Sequence, residues 1–204
     1  MIAGVGGSAA SANERTLLIL GDSLSTAYNI DAGSGWVSLL ERRLATQGYS
    51  YRIVNASISG DTSRGAAARL DAVLSGTRPD LAVVELGGND GLRGVALAEL
   101  RRNLESIIRR LRDAGSAVLL VSVKLPPNYG ATYTAGFEKV YADLGTQFGV
   151  RVGGFLLEDI ALRPELMQED GIHPTAEAQA LILENIWKDL EPLLHDSRQR
   201  EPAS

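Results

Sequence analysis

The chain contains one serine and one histidine whose surroundings suit nucleophilic catalysis. Ser23 comes just after the apolar run Leu17–Leu20, where a buried strand is expected to end. A serine hydroxyl is a weak nucleophile at neutral pH and needs a neighbouring base to take its proton. There are only two histidines, and His195 belongs to a polar C-terminal segment. His173 is therefore the candidate base.

An aspartate near this histidine could orient it. Asp170 precedes His173 by three residues, in a turn that also contains Gly171 and Pro174. This spacing can place a carboxylate against the imidazole Nδ1, where it fixes the tautomer and stabilises the imidazolium. An ordinary turn aspartate and a histidine without a catalytic role fit the same residues.

Hydrolysis of an acyl group would also need donors for the negative oxygen that forms at the carbonyl. The backbone N–H groups of Ser23 and Gly60 and the side-chain amide of Asn89 could supply them. Gly60 is expected to be glycine because a side chain would block close approach of the substrate. Each residue alone is also typical of a plain turn, and it is their joint position after strand ends that favours a catalytic role.

Alternating strand and helix patterns would position these residues. The predicted strands are Thr16–Leu20, Tyr51–Asn55, Leu81–Leu86, Ala117–Val123 and a short one near Val150–Val152. The predicted helices cover Gly35–Gln47, a segment ending near Ser75, the apolar stripe from Leu97 to Leu111, Thr134–Phe148 and Thr175–Leu194. This alternation indicates a parallel sheet with helices on both faces. The carboxyl ends of the first three strands then bring Ser23, Gly60 and Asn89 to one edge, where open α/β sheets bind ligands.

Composition narrows the class of protein. The 204 residues are 45% hydrophobic and 22% charged, which indicates one globular domain, placed at residues 14–194. A net charge of -5 without a basic block argues against a nucleic-acid partner, and the absence of cysteine excludes disulfides and thiolate zinc sites. The sequence holds no apolar run of about 20 residues for a membrane span and no phosphate-binding or metal motif. Residues 1–13, with Ala10-Ser11-Ala12, are interpreted as a disordered leader or signal-peptide remnant, and 195–204 as a polar tail.

Four segments together resemble the signature blocks of the GDSL or SGNH hydrolases. They are Gly21-Asp22-Ser23-Leu24-Ser25, the turn at Gly60, Gly87-Gly88-Asn89-Asp90 and Asp170-Gly171-Ile172-His173-Pro174. Longer runs around them are similar to the bacterial multifunctional thioesterase I/arylesterase/lysophospholipase group. The resemblance extends over residues 16–194.

This resemblance implies a fold and a set of site residues. The fold would be a single-domain, three-layer α/β/α, flavodoxin-like hydrolase with five parallel strands in the order 2-1-3-4-5. Ser23 would be the nucleophile, His173 the base and Asp170 its orienter, with Ser23, Gly60 and Asn89 forming the oxyanion hole. A mobile loop after the third block and a second loop near Pro126 would line the acyl crevice. The substrate contacts expected there are Asp90, Gly91, Leu92, Arg93, Pro126, Asn128, Tyr129 and Ile172.

The expected activity is hydrolysis of carboxylic esters and thioesters through an acyl-enzyme on Ser23. Substrates would be aryl or short-to-medium acyl esters, acyl thioesters and lysophospholipids, and neither a metal nor an organic cofactor is implied. The expected protein is a monomer, periplasmic or secreted, with a small-molecule substrate as its only partner. Two alternatives stay open: a carbohydrate O-acetylesterase of the same superfamily, and a non-catalytic module that binds a lipid or an anion. The sequence does not give the preferred acyl length.

Overall fold

The protein folds around a five-stranded parallel sheet with the strand order β2-β1-β3-β4-β5, as expected from the resemblance. The computed structural model describes residues 14–198. The strands are β1 (Arg15–Gly21), β2 (Tyr51–Asn55), β3 (Leu81–Glu85), β4 (Ala117–Val121) and β5 (Arg151–Gly153). The helices are α1 (Trp36–Thr46), α2 (Ser63–Gly76), α3 (Gly88–Leu92), α4 (Leu97–Asp113), α5 (Ala131–Phe148) and α6 (Gln179–Arg198).

The central strands are apolar on both faces because helices cover both faces of the sheet. Side chains alternate along β1, so Leu17 and Ile19 belong to the core cluster that contains α1 and α6. Leu18 and Leu20 belong to the opposite cluster, built from α2, α4 and α5. All four side chains are fully buried, which fixes the end of β1 rigidly between two packed layers.

The apolar stripe from Leu97 to Leu111 forms helix α4. This helix buries five leucine and isoleucine side chains and exposes its charged face. On that face Arg109 and Glu105 form an i,i+4 ion pair, at 2.8 Å.

Two predicted boundaries were wrong, each for a local reason. Helix α6 begins at Gln179 and not at Thr175, because the residues between them form turns in which Ala178 N donates to Thr175 O at 3.3 Å and Gln179 N donates to Ala176 O at 3.2 Å. Strand β4 ends at Val121 because its neighbour β5 has only three residues to pair with it. The short helix α3, for which no helix was predicted, follows β3.

The C-terminal helix continues past its predicted end at Leu194 to Arg198. His195 lies in this helix, where its Nε2 and the Tyr49 hydroxyl are 2.8 Å apart. The histidine therefore lies near the amino end of β2, whereas Ser23 follows the carboxyl end of β1. The Ala10-Ser11-Ala12 segment and residues 199–204 lie outside the described residues.

Candidate active site

Ser23 lies in the turn that directly follows β1. The strand ends at Gly21, where an added Cβ would come within 2.7 Å of Ser25 Oγ and 2.8 Å of Glu85 Oε2. No side chain other than hydrogen fits there, so the chain can turn and lift Ser23 out of the sheet. The serine is consequently placed beyond the carboxyl end of a central strand.

Ser23, His173 and Asp170 form a continuous chain of hydrogen bonds. The Ser23 Oγ is 2.9 Å from His173 Nε2, and His173 Nδ1 is 2.6 Å from Asp170 Oδ2. The other carboxylate oxygen of Asp170 accepts from the backbone N–H groups of Ile172 and His173, at 2.9 and 3.0 Å. The structure therefore brings together the three residues that sequence reasoning assigned to proton transfer.

The electrostatics of Asp170 fix the tautomer of the histidine. The N–H of His173 is the main cause that lowers the pKa of Asp170 from 3.8 to about 2, and the imidazole and the N–H of Ile172 act in the same direction. An ionised carboxylate only accepts hydrogen bonds, so Nδ1 carries the proton that it receives. Nε2 is then free to accept the hydroxyl proton of Ser23.

A short antiparallel bridge holds the turn that carries His173. Met167 pairs with Pro174, and Gln168 N donates to His173 O at 2.7 Å. Gly171 has a φ of 65°, a left-handed conformation that glycine adopts without strain. The turn thus presents the imidazole from the segment before α6, as the sequence suggested.

The three predicted oxyanion donors lie around the same strand edge. Asn89 Nδ2 donates to Asp22 Oδ2 at 3.0 Å, which uses one of its two N–H groups. The loop before Gly60 is tied to the end of β1, since Ile58 N donates to Gly21 O at 3.1 Å. The second N–H of Asn89 and the backbone N–H groups of Gly60 and Ser23 are the candidates for binding an oxyanion.

The structure gives a reason for a glycine at position 60 that is separate from the approach of a substrate. Gly60 has a φ of 76°, a left-handed conformation that a side chain strains. Among the described residues, no atom beyond its chain neighbours lies within 4 Å of an added Cβ, so crowding by the protein does not demand glycine here.

Two buried carboxyl groups lie beneath the serine turn. Burial is the main cause that raises the pKa of Asp22 from 3.8 to about 6, against the hydrogen bonds from Leu24 N and Asn89. Burial and the charge of Asp22 raise the pKa of Glu85 well above 4.5. Glu85 Oε2 accepts from Ser25 Oγ at 2.8 Å. Glu85 is the last residue of β3, and its burial and this bond indicate a structural role.

The predicted substrate contacts divide into a surface group and a buried group. Leu92 and Ile172 are exposed, and Arg93 Nη2 donates to Gly60 O at 3.1 Å. Tyr129 OH donates to Leu92 O at 3.2 Å, which joins the second loop to the end of α3. Pro126 and Asn128 are exposed on that same loop.

The buried group consists of Asp90 and Gly91. The Asp90 carboxylate accepts from the N and Oγ of Ser63 at 2.8 and 2.5 Å, so it fastens α3 to the start of α2. A Cβ on Gly91 would come within 2.2 Å of the Leu125 side chain. In this structure the side of α3 that carries these two residues faces the protein interior.

Sequence reasoning missed an aromatic residue at the histidine. The ring centroids of Tyr28 and His173 are 4.3 Å apart with an interplanar angle of 34°. Nothing in the sequence pattern separates Tyr28 from other exposed loop tyrosines, because it lies in an irregular segment between β1 and α1.

Within residues 14–198, no three histidine, aspartate or glutamate side chains cluster as a metal site would require. No helix in that range is both long and apolar enough to span a bilayer.

A family model and several known proteins match most of this chain. The model of the GDSL-like lipase/acylhydrolase family matches residues 19–181. The esterase TesA of Pseudomonas aeruginosa is 51% identical over 180 residues, which cover 88% of this chain and 90% of that protein. Thioesterase 1/protease 1/lysophospholipase L1 of Escherichia coli K12 is 43% identical over 183 residues, covering 89% and 86%.

Two solved structures have the same fold. A crystal structure of TesA superposes with a TM-score of 0.84 at 50% identity, covering 88% of this chain and 99% of that one. The psychrotrophic esterase EstA from Pseudoalteromonas sp., inhibited by monoethylphosphonate, superposes with a TM-score of 0.85 at 36% identity, covering 89% and 99%.

Proposed function

The chain belongs to the GDSL-like lipase/acylhydrolase family, and on that premise we propose that it hydrolyses carboxylic esters and thioesters through an acyl-enzyme on Ser23. Esterase and thioesterase activity is the function that its relatives carry in their names. The observation that supports this mechanism most directly is the chain of contacts of 2.9 and 2.6 Å from Ser23 through His173 to Asp170.

In the acylation step, Ser23 Oγ attacks the carbonyl carbon while its proton passes to His173 Nε2. The carbonyl oxygen becomes negative and is held by the N–H groups of Ser23 and Gly60 and the amide of Asn89. The carbon–oxygen or carbon–sulfur bond then breaks, and His173 returns the proton to the leaving alcohol or thiol. In deacylation, water attacks the acyl carbon and gives one proton to His173 Nε2. The bond from that carbon to Ser23 Oγ then breaks, and His173 returns the proton to Ser23 as the acid is released. The imidazole acts as a base only in its neutral form.

The surface near the serine supports an acyl group longer than acetyl. Ile58, Leu92 and Ile172 are among the most exposed large apolar side chains described, at 51%, 37% and 46%. All three belong to segments that carry or contact site residues, so apolar side chains are available there to an acyl chain. We therefore prefer the ester and thioester hydrolase to the carbohydrate O-acetylesterase.

The test is hydrolysis of p-nitrophenyl esters from acetyl to palmitoyl, and of acyl-coenzyme A thioesters followed by thiol release. Wild type is compared with Ser23→Ala, and with Ser75→Ala as a control serine at the opposite end of α2. We expect Ser23→Ala to lose activity on both classes with its fold intact, and Ser75→Ala to keep it. Undiminished activity of Ser23→Ala would refute the serine mechanism, and activity confined to acetyl esters would favour the acetylesterase.

We also propose that the chain acts as a monomer in the periplasm or outside the cell. The Ala10-Ser11-Ala12 segment supports an exported protein, since it fits the small-residue pattern before a signal-peptidase site. Light scattering of the purified protein and fractionation of expressing cells test the two parts separately.

A further inference from the structure

The histidine of the proton-transfer chain is held at three points and not two. Its ring nitrogens are bonded to Ser23 and Asp170, and the ring of Tyr28 lies 4.3 Å away, centroid to centroid. Hydrogen bonds at Nδ1 and Nε2 fix the position of the imidazole along the line that joins these nitrogens. They resist rotation about that line only weakly, because hydrogen-bond angles are soft compared with atomic overlap. A ring packed against the face of the imidazole opposes that rotation directly.

One residue, Gln168, forms hydrogen bonds with both members of this ring pair. Gln168 Nε2 donates to Tyr28 O at 3.0 Å and to Pro174 O at 2.9 Å, so both amide hydrogens are used. Gln168 N donates to His173 O at 2.7 Å. Gln168 is therefore bonded to the residue that carries one ring, to the residue that carries the other, and to the next residue along the chain.

The loop that carries Tyr28 is held in an unfavourable backbone conformation. Ala27 and Asn29, on either side of the tyrosine, have φ angles of 58° and 57°. Residues with a Cβ adopt this left-handed region at an energetic cost and keep it only where surrounding contacts enforce it. One such contact is present, since Asn29 Nδ2 donates to Gln168 Oε1 at 3.2 Å. The left-handed conformation is thus retained on both sides of the residue that faces the histidine.

We propose that Tyr28 and Gln168 are positioning residues that hold the His173 ring at the tilt required for proton exchange with Ser23. Tyr28 acts through its ring and not through its hydroxyl. Gln168 holds the loop that carries Tyr28 and the turn that carries His173 in a fixed relative position. This inference rests on the proposed serine mechanism.

The experiment measures kcat and KM for p-nitrophenyl acetate, butyrate and octanoate with wild type, Tyr28→Phe, Tyr28→Leu, Tyr28→Ala and Gln168→Leu. Loss of alignment is expected to lower kcat by at least about 10-fold in Tyr28→Ala and Tyr28→Leu, since misplacing a catalytic group by about 1 Å can cost about 100-fold. The fall is expected to be equal for all three esters. Tyr28→Phe keeps the ring and is expected to stay within about 2-fold of wild type.

Gln168→Leu is expected to lower kcat in the same way, and the Tyr28→Ala/Gln168→Leu double variant to fall less than the product of the single effects. Leu181→Ala, an exposed apolar residue on α6, serves as the control and is expected to leave kcat unchanged. Thermal unfolding of every variant confirms that the differences concern folded protein.

The alternative role for Tyr28 is contact with the acyl chain, which gives a different pattern. A KM effect that grows from acetate to octanoate, with kcat unchanged, would refute the positioning role. So would equal activity of Tyr28→Ala and wild type, or fully multiplicative effects in the double variant. Ser23→Ala, measured alongside, separates the two proposals: if it stays active the serine mechanism itself fails, whereas an inactive Ser23→Ala with an unaffected Tyr28→Ala overturns only the positioning role.

Discussion

Asp22, a buried acid that accepts a hydrogen bond from the Asn89 amide, should oppose folding at neutral pH. Asp22 is 3% exposed, and its carboxylate accepts hydrogen bonds from Asn89 Nδ2 at 3.0 Å and Leu24 N at 3.1 Å. These two bonds do not offset the loss of water, so burial raises its pKa from 3.8 to about 6. The native state then binds the proton more tightly than the unfolded chain.

The sign of the effect follows from proton linkage. A raised pKa contributes stability that is fully present below pH 3.8 and is lost as the pH rises through about 6. From well below pH 3.8 to well above pH 6, the free energy of unfolding falls by about 3 kcal/mol on account of this residue, at about 1.4 kcal/mol for each pKa unit. At neutral pH the charged carboxylate is retained against that cost.

Asp22→Asn removes the ionisable group and keeps the shape of the side chain. The free energy of unfolding of the variant minus that of wild type should therefore increase by about 2 kcal/mol between pH 4.5 and pH 8. Urea unfolding followed by fluorescence of the buried Trp36 and Trp187 measures it at each pH. Asp71→Asn, at an exposed carboxylate on α2, is the control and should show little change in that difference.

The same substitution should lower activity. An asparagine offers one acceptor where the carboxylate offers two, so either Leu24 N or Asn89 Nδ2 is left facing an amide N–H. We expect kcat at pH 8 to fall about 10-fold, less than the loss for deleting an oxyanion donor. Stability differences that stay constant between pH 4.5 and pH 8 would refute the buried-charge reasoning, and an unchanged kcat would refute the link between Asp22 and Asn89.

Three further predictions concern residues around the same edge. Asn89→Ala should lower kcat by about 10²- to 10³-fold with little change in KM, measured with p-nitrophenyl butyrate, since it removes a donor needed only as the oxyanion forms; a change confined to KM would contradict this. Asp90→Ala should destabilise the protein by about 2–4 kcal/mol in urea unfolding, because it leaves the buried N–H and hydroxyl of Ser63 without their acceptor; a loss below about 0.5 kcal/mol would show that α3 and α2 are not joined there. Gly60→Ala should cost about 1–2 kcal/mol and Gly60→Asn less, because asparagine tolerates a left-handed backbone better; a greater loss for the larger asparagine would indicate crowding instead.

The fold could be predicted from the sequence because the apolar composition of the central strands indicates that they are buried. Leu17–Leu20 and Leu81–Val84 are fully buried, and both read as uninterrupted apolar runs. Such runs occur in parallel sheets that are covered on both faces. Element ends could not be predicted as well, since they depend on hydrogen bonds that the sequence pattern does not reveal: the turns between Thr175 and Gln179 place the start of α6 four residues later than predicted.

The composition of the site was predictable for a related reason, but the directions of its side chains were not. Ser23, Gly60 and Asn89 each follow a strand, and parallel strands must bring such residues to one edge. Asp90 stands next to Asn89, and only the start of α3 at Gly88 turns its carboxylate inward to Ser63. Sequence alone gives no means of separating neighbours that a helix directs to opposite sides.

The two aspartates of the site show that the pKa of a carboxyl group depends on its environment more than on its residue type. Asp170 is a partly exposed acid with donors on both oxygens, and its pKa is lowered to about 2. Asp22 also has donors on both oxygens, but burial outweighs them and its pKa is raised to about 6. The first stays ionised throughout the range in which the enzyme would work, so it is always available to stabilise an imidazolium at His173. The second holds the amide of Asn89, which leaves one N–H of that amide for the proposed oxyanion. Hydrogen bonds from its own turn thus keep Asp170 ionised beside the proposed base, whereas burial makes Asp22 costly to ionise. The residue type is the same, and the surroundings alone shift the two pKa values in opposite directions.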